Sequence, residues 1–382
     1  MSDLELLFVL LGAFYLWESA SWVRRGGVAF VRGWGKFFRV APLIGNLRGG
    51  FAVGLPLPPM GAVFVASQLP VSLSAVGALA YVATVVNPGG RHAQTGRFIR
   101  WEDIRKVAAK GKNIRVNGAL FVQAQSTFHA RWLAGQLRSL VKLEPEKRDA
   151  AIASLIRNLF DAEALKKRCD DFESRTKPIR RLSNVLFVFV FIIAPTVVWR
   201  LGIVATWQVL VAGLFTLTGI TMILFRRAHL ALYPDAGDER FSQCLMVLLY
   251  SPAAMRASDA LSRPLLEKFH PLTAASVLCN GKNFHALARQ LLRDLRFPAL
   301  PLATDDQPQL AAIEKSTRAL TLAAAEALVK KSGVNLDDLL RAPPPLDATC
   351  RAYCPRCHAQ FTTVEATCSD CGGMPSVPMA AR

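Results

Sequence analysis

Acidic side chains are in short supply in this sequence: 28 Asp and Glu stand against 46 Lys and Arg, a formal net charge of +18 over 382 residues. The shortage is local. Between Arg24 and Arg181 there are 27 basic residues against 10 acidic, a net of +17, while from Arg226 to the C-terminus 18 against 15 leave only +3. Such a basic section suits anionic lipid or nucleic acid, and charge alone does not choose between them. Charge of either sign is missing altogether from Ile203 to Phe225. A proton or ion pathway through that run would lack its usual ionisable marker. The familiar catalytic signatures are absent too: there is no GxxxxGK[ST], no GxGxxG after a strand, no HExxH and no GxSxG. The six histidines (92, 129, 229, 270, 285 and 358) do not pair at ligand spacing, and His129 and His285 each fall on an amphipathic helix, where a surface or hydrogen-bonded core histidine is the default. No catalytic residue is assigned.

The organising stretch is Leu182–Phe225, two apolar segments meeting at a single charge, Arg200. A helix over the 23 residues from Ile203 to Phe225 would be about 35 Å long, enough for a hydrocarbon core of about 30 Å with some tilt. The first segment, 182–199, is shorter, and Pro195 is expected to kink it. Arg180 and Arg181 precede the pair and Arg226 and Arg227 follow it. Under the positive-inside rule both outer ends face the cytoplasm and the Arg200 turn faces out. The competing reading is a helical hairpin buried in a soluble core.

Residues 1–23 read as a further span, unbroken and apolar from Leu6 to Trp17. Asp3 and Glu5 precede it and Arg24 and Arg25 follow, the reverse of a signal peptide, so the N-terminus is expected outside. A monotopic anchor is the alternative, because Glu5 and Glu18 bracket a short core. Together these readings give a multi-pass protein of the inner (cell) membrane with a cytoplasmic C-terminus.

Between the first span and the hairpin, short apolar runs separated by Gly, Pro and Asn turns read as strands: Val28–Val31, Phe37–Val40, Phe51–Leu55, Ala62–Ala66, Leu79–Val86, Val107–Ala108, Ile114–Val116 and Leu120–Gln123. Residues 60–86 are also long enough for another membrane segment, though Pro70 and four polar residues around it cut the run short. Asn117–Gly118 is a two-residue hairpin signal, and Ser126–Leu143 has apolar residues at helical spacing. This order, from Phe98-Ile99-Arg100-Trp101-Glu102-Asp103-Ile104 through Val116-Asn117-Gly118 to the helix, resembles bacterial pleckstrin-homology-like domains over about 50 residues. The resemblance implies a binding or scaffolding module close to the bilayer, over 24–143. Arg24, Arg25, Arg32, Lys36, Arg39 and Arg48 are the residues expected to lie along an anionic leaflet.

Residues 144–181 read as a charged, solvated helical connector, and 228–342 as a helical cytoplasmic region. Within it Gln307–Lys331 is one long helix, either packed on its own domain or offering a coiled-coil seam through Leu310, Ile313, Thr317, Leu320, Ala324 and Ala327. Pro343-Pro344-Pro345 opens a stiff linker, 343–349.

Of eight cysteines, Cys169, Cys244 and Cys279 are scattered and five crowd the C-terminus, a distribution that fits a metal site better than a disulfide framework. Cys354-Pro355-Arg356-Cys357 and Cys368-Ser369-Asp370-Cys371-Gly372-Gly373 are two CxxC turns ten residues apart. Each turn can present a pair of thiolates at one edge of a tetrahedron, and the β-prone run Phe361–Val364 between them can bring the turns together. Four thiolates suit Zn²⁺ with a closed shell. Here the chain resembles the zinc-ribbon family over 350–382, which implies Cys354, Cys357, Cys368 and Cys371 as ligands and a surface for a protein partner. Two departures stand out: the spacer is shorter than usual, and His358 stands where the first knuckle commonly has glycine. Cys354-x-x-Cys357-His358 is also the attachment motif of a c-type haem, which keeps a redox or electron-transfer role open. Cys350 reads as a spare thiol. Nucleic-acid binding is the other alternative, but residues 350–382 carry only Arg351, Arg356 and Arg382 against Glu365 and Asp370, a weak footprint.

The reading as a whole is an α+β membrane protein: three transmembrane helices, a β-rich PH-like cytoplasmic domain, a helical C-terminal region and a small zinc ribbon. Its expected role is that of a non-catalytic, membrane-tethered scaffold or adaptor.

Overall fold

The computed structural model describes residues 99–298 (except 100, 125 and 235) and 308–379, the backbone of five strands between 27 and 98, and scattered residues between 2 and 13. The expected first span therefore lies mostly outside the described residues, as do Arg24, Arg25, Lys36 and Arg48 and the expected strand Phe51–Leu55.

Strands β1 (Gly27–Arg32), β2 (Phe38–Leu43) and β3 (Val63–Ala66) form an antiparallel sheet in the order β2-β1-β3. Its register sets Arg39 opposite Val31 and Arg32 opposite Phe38. β4 (Ala80–Val86) pairs with β5 (His92–Phe98). Within 60–86 the described residues are thus strands, β3 and β4. β6 (Val107–Lys110), β7 (Asn113–Val116) and β8 (Ala119–Gln123) form a meander. Its second turn is the expected Asn117–Gly118, with φ of 51° and 83°, the left-handed pair that such a two-residue hairpin requires. Asn117 also holds the preceding loop: its Oδ1 accepts from the Arg105 and Lys106 N–H at 2.9 and 3.0 Å, and its Nδ2 donates to the Asp103 carbonyl at 2.6 Å.

Helix α1 (Thr127–Val141) starts at Ser126, whose Oγ accepts from the His129 N–H, a standard cap for the unpaired first-turn donors. Ala130, Leu133, Ala134 and Leu137 close over Ile104, Ile114, Val116 and Phe121 to make a small α/β core. The same Ser126 donates to Glu267, and the Thr127 N–H to Glu239, which tie this unit to the helices that follow.

Those helices share a second, larger core. α2 (Pro145–Leu159) leads into α3 (Ala162–Val188), capped by Asp161. α3 continues through a π turn (Phe189–Ile193) and α4 (Ala194–Leu201) as one 40-residue helix. The stretch 144–181 is therefore not a solvated connector. On α3 the charged side chains lie off a buried stripe of Leu165, Cys169, Phe172, Thr176 and Ile179 at alternating four- and three-residue spacing, and on α2 Arg148 is itself buried, donating to the Leu140 and Leu143 carbonyls. Beyond Gly202 (φ 76°) comes α5 (Ile203–Leu232), then α6 (Gly237–Leu249), α7 (Ser251–Met255), α8 (Ala257–Ser262), α9 (Pro271–Leu278), α10 (Gly281–Arg296), α11 (Pro308–Lys331) and α12 (Leu336–Leu339). Phe172, Ile179, Leu266, Leu272, Leu292 and Val329 meet in the interior they enclose. Among the described side chains of α11 the buried ones are Thr317, Thr321, Ala325, Leu328 and Val329, with Leu320 of the alternative seam exposed, so this part of the helix packs on its own domain.

The distortion expected at Pro195 appears one turn earlier, as the π turn. Proline has no N–H to return to the carbonyl four residues back, and the widened turn absorbs the mismatch. Thr196 Oγ1 donates to the Ile192 carbonyl at 2.6 Å. Thr206, Thr216 and Thr221 likewise donate to carbonyls four residues back, and Thr218 to one three back, so the hydroxyls of the second apolar segment are satisfied within their own helix. Gly213 marks a close approach: a Cβ there would meet the Phe189 ring at 3.0 Å.

Two histidines make the helical core acid-sensitive. His129 is held neutral with its pKa lowered to about 3 by burial and by Lys268, and neither ring nitrogen has a hydrogen-bond partner among the described residues. His270 is likewise lowered to about 3 by burial, and its Nδ1 caps α9 by accepting from the Leu272 N–H at 3.1 Å. An unfolded chain takes up these protons near pH 6.5 and the folded one does not. Stability is therefore fully present above that pH and falls as pH drops, by about 1.4 kcal/mol per pH unit for each histidine. Hydrogen exchange of the α2 and α9 amides is expected to accelerate between pH 6.5 and 5, and His129→Leu to flatten that slope.

Candidate metal centre

The C-terminal module is built from two-residue strands. β9 (Ala352–Tyr353) is flanked by β10 (Gln360–Phe361) and β13 (Val377–Pro378), and β11 (Thr367–Cys368) pairs with β12 (Met374–Pro375). Of the β-prone run Phe361–Val364 between the CxxC turns only Phe361 is strand, as the end of β10, and residues 362–364 bend away from it.

Each CxxC sits at a strand end and folds into a knuckle. In the first, the His358 N–H donates to the Cys354 carbonyl at 2.9 Å and the Cys354 N–H to the Ala359 carbonyl at 2.8 Å. His358 adopts φ of 64° there, the left-handed conformation for which glycine is the easy choice. The histidine therefore takes a backbone conformation that costs glycine less. In the second knuckle Gly372 and Gly373 have φ of 72° and 83°, and the Gly373 N–H donates to the Cys368 carbonyl.

The knuckles bring the Sγ atoms of Cys354, Cys357, Cys368 and Cys371 within 4.8 Å of one another, with Cys357 and Cys368 at 3.5 Å. A tetrahedral ion with metal–sulfur bonds of about 2.3 Å needs sulfurs about 3.8 Å apart, so this cluster can hold a metal ion. Three of the four cysteines are buried, and Ala359, Phe361 and Met374 pack around them. Cys350 stands apart, its thiol 3.5 Å from Asp347.

The thiols do not ionise alike. Burial opposes ionisation at Cys354, but N–H groups of Cys357 and Arg356 and hydrogen bonds from Cys357 and Cys368 outweigh it and lower the pKa. Burial raises Cys368, and raises Cys371 to about 12. An incoming cation must displace protons from the raised pair, which makes its affinity pH-dependent.

The module is docked. Arg356 pairs with Asp294 on α10 at 3.0 Å, and Arg289 and Arg293 of the same helix lie within electrostatic reach of His358. The proline-rich stretch is hydrogen-bonded to the module: Gln360 Nε2 donates to the Pro344 carbonyl and Gln360 Oε1 accepts from the Leu346 N–H. Sequence reasoning named the four thiols but gave no sign of the Arg356–Asp294 contact, because its partners lie far apart in the chain.

The second feature is the apolar hairpin. Two helices, Ala162–Leu201 and Ile203–Leu232, are long and apolar enough to cross a membrane, and only 28% and 17% of their most apolar windows is buried. Val185, Ile192, Trp199, Val204, Val209 and Phe215 are among the exposed residues. A hairpin hidden in a soluble core would bury these side chains.

Comparison with known proteins finds no matching family model, no matching curated protein and no matching solved structure.

Proposed function

We propose that the chain is a membrane-anchored, non-catalytic adaptor that carries a zinc-ribbon module. The observation that carries this reading is the exposure of the 182–225 hairpin: large apolar side chains such as Val185, Ile192, Trp199, Val204, Val209 and Phe215 face outward along its length. Hydrocarbon is the solvent that such a surface fits. Arginine pairs at 180–181 and 226–227 favour both outer ends on the cytoplasmic side of the inner membrane, and residues 1–23 would add a third span.

Zinc is the ion that best matches four thiolates with no oxygen or nitrogen donor in the cluster. Bound there, it would supply charge and a fixed tetrahedral frame for the module's fold. The convergence of both CxxC pairs favours this over haem attachment, which would use Cys354, Cys357 and His358 and leave the second pair without a role. The β6–β8 meander closed by α1 is the part a PH-like barrel would share. With the basic section around it, that unit would lie against anionic headgroups, and the zinc module would present a surface to a protein partner.

Two measurements on the reconstituted full-length chain test this reading. Elemental analysis is expected to show stoichiometric zinc with no Soret band. Phosphatidylserine is expected to be enriched around the protein in mixed nanodiscs, and to lose that enrichment when Arg24, Arg25, Arg32, Lys36, Arg39 and Arg48 are all changed to Gln. Each basic side chain near the surface contributes about 1 kcal/mol. Equal enrichment in the two proteins would remove the proposed leaflet contact.

A further inference from the structure

The exposed apolar surface continues past the hairpin. α6 turns back at Tyr233–Ala236 and packs alongside α5. On α6, Phe241 is 77% exposed, Leu245 42%, Met246 53% and Leu249 63%. These positions, i, i+4, i+5 and i+8, make one stripe on the helix.

Two contacts and the rise of the helix fix the depth of that stripe. Arg240 Nε donates to His229 Nδ1 at 3.3 Å, which sets the start of α6 level with the last turns of α5. One turn later, at Cys244, the returning helix has risen about 6 Å and is level with the arginines that bound the uncharged run. Ser183 Oγ donates to the Ala254 carbonyl at 3.4 Å, which sets α7 level with the start of the first apolar segment. Leu245, Met246 and Leu249 therefore lie on the apolar side of the Arg226 level. At that depth Ile220 and Ile223 of α5 are also exposed. From Phe241 to Met255 the chain carries no charge.

We propose that α6 is a half-inserted helix whose Leu245–Met246–Leu249 stripe sits among the acyl chains of the leaflet on the Arg226 side, with Phe241 at the boundary with the headgroups. At 13 residues it is about 20 Å long, too short to cross a core of about 30 Å. It enters at the level of His229, and the chain returns to charge at Arg256 on the side from which it entered. That is the behaviour of a re-entrant segment. Acyl chains are the occupant the observations favour, because the stripe is continuous in depth with the exposed surface of α5 and lies beyond its bounding arginines. The inference rests on the hairpin spanning the membrane.

The full-length chain is reconstituted in phosphatidylcholine vesicles that contain a lipid with a diazirine on its acyl chain. After irradiation, adducts are mapped by peptide mass spectrometry. Adducts are expected in 203–225 and also on the stripe residues of 241–249. In a variant with Met246→Lys and Leu249→Lys, those in 241–249 are expected to fall several-fold while those in 203–225 persist. Adducts in 203–225 with none in 241–249 of the unaltered chain would overturn the inference and leave the spanning hairpin standing. Adducts in neither segment would overturn the membrane reading along with it.

Discussion

Changing Cys357 to serine is expected to reduce bound metal from a full complement to background and to unfold the C-terminal module. Cys357 Sγ stands 3.5 Å from Cys368 Sγ, and the four sulfurs fall within one small volume. The strands around them are two residues each, far too short to hold a fold without the ion. In small zinc domains, metal binding contributes about 10–16 kcal/mol and is in effect the folding free energy. The expected sign in the full-length chain is rapid proteolysis within 343–379, with hydrogen exchange of the helical core unchanged. Cys350→Ser is the control: its thiol contacts Asp347 outside the cluster and should leave metal content intact. Retention of metal and protease resistance in the Cys357 variant would show that the cluster does not bind as a unit.

Phe215→Lys is expected to drive the chain out of the carbonate-resistant membrane fraction. Phe215 lies near the middle of the uncharged run and is 50% exposed. A lysine at the centre of a spanning helix costs about 2.5–3.5 kcal/mol, about two orders of magnitude in the insertion equilibrium. The same change on a helix in water costs almost nothing, so the substitution separates the two settings of this hairpin. Leu320→Lys, at an exposed site on α11, serves as the comparison and should leave the fractionation unchanged.

The parts of the structure that were legible in the sequence are those where a local rule leaves little freedom. Asn117–Gly118 between two apolar runs demands a left-handed turn, and one is found. Paired CxxC turns demand convergent thiols. An uncharged run of more than 20 residues demands a long helix. What stayed illegible depends on distant partners or on masking. The buried stripe from Leu165 to Ile179 has proper helical spacing, but the lysines, arginines and carboxylates around it made the stretch read as solvated. β5 was missed because His92-Ala93-Gln94-Thr95-Gly96-Arg97-Phe98 has little strand propensity and takes its conformation from pairing with β4. The buried pair Arg256–Asp259 reads as an ordinary i, i+3 surface pair until the surrounding helices are in place. α6 escaped notice because its uncharged run is shorter than any span.

The absence of a loop between the helical core and the first apolar segment has a mechanical meaning. One helix of 40 residues, about 60 Å long, runs from Ala162 through the packing around Phe172 to Leu201. A chain joined to its anchor by a flexible segment would swing freely. With the hairpin in a membrane, as proposed, this one would be mounted on a mast, its height and heading above the lipid set by the same packing that stabilises its core. The mast has lost ladder bonds at Pro178 and at the π turn, which are its compliant points. A load applied at the docked metal module would be borne as torque on that shaft and would be felt first where those two points allow it to bend.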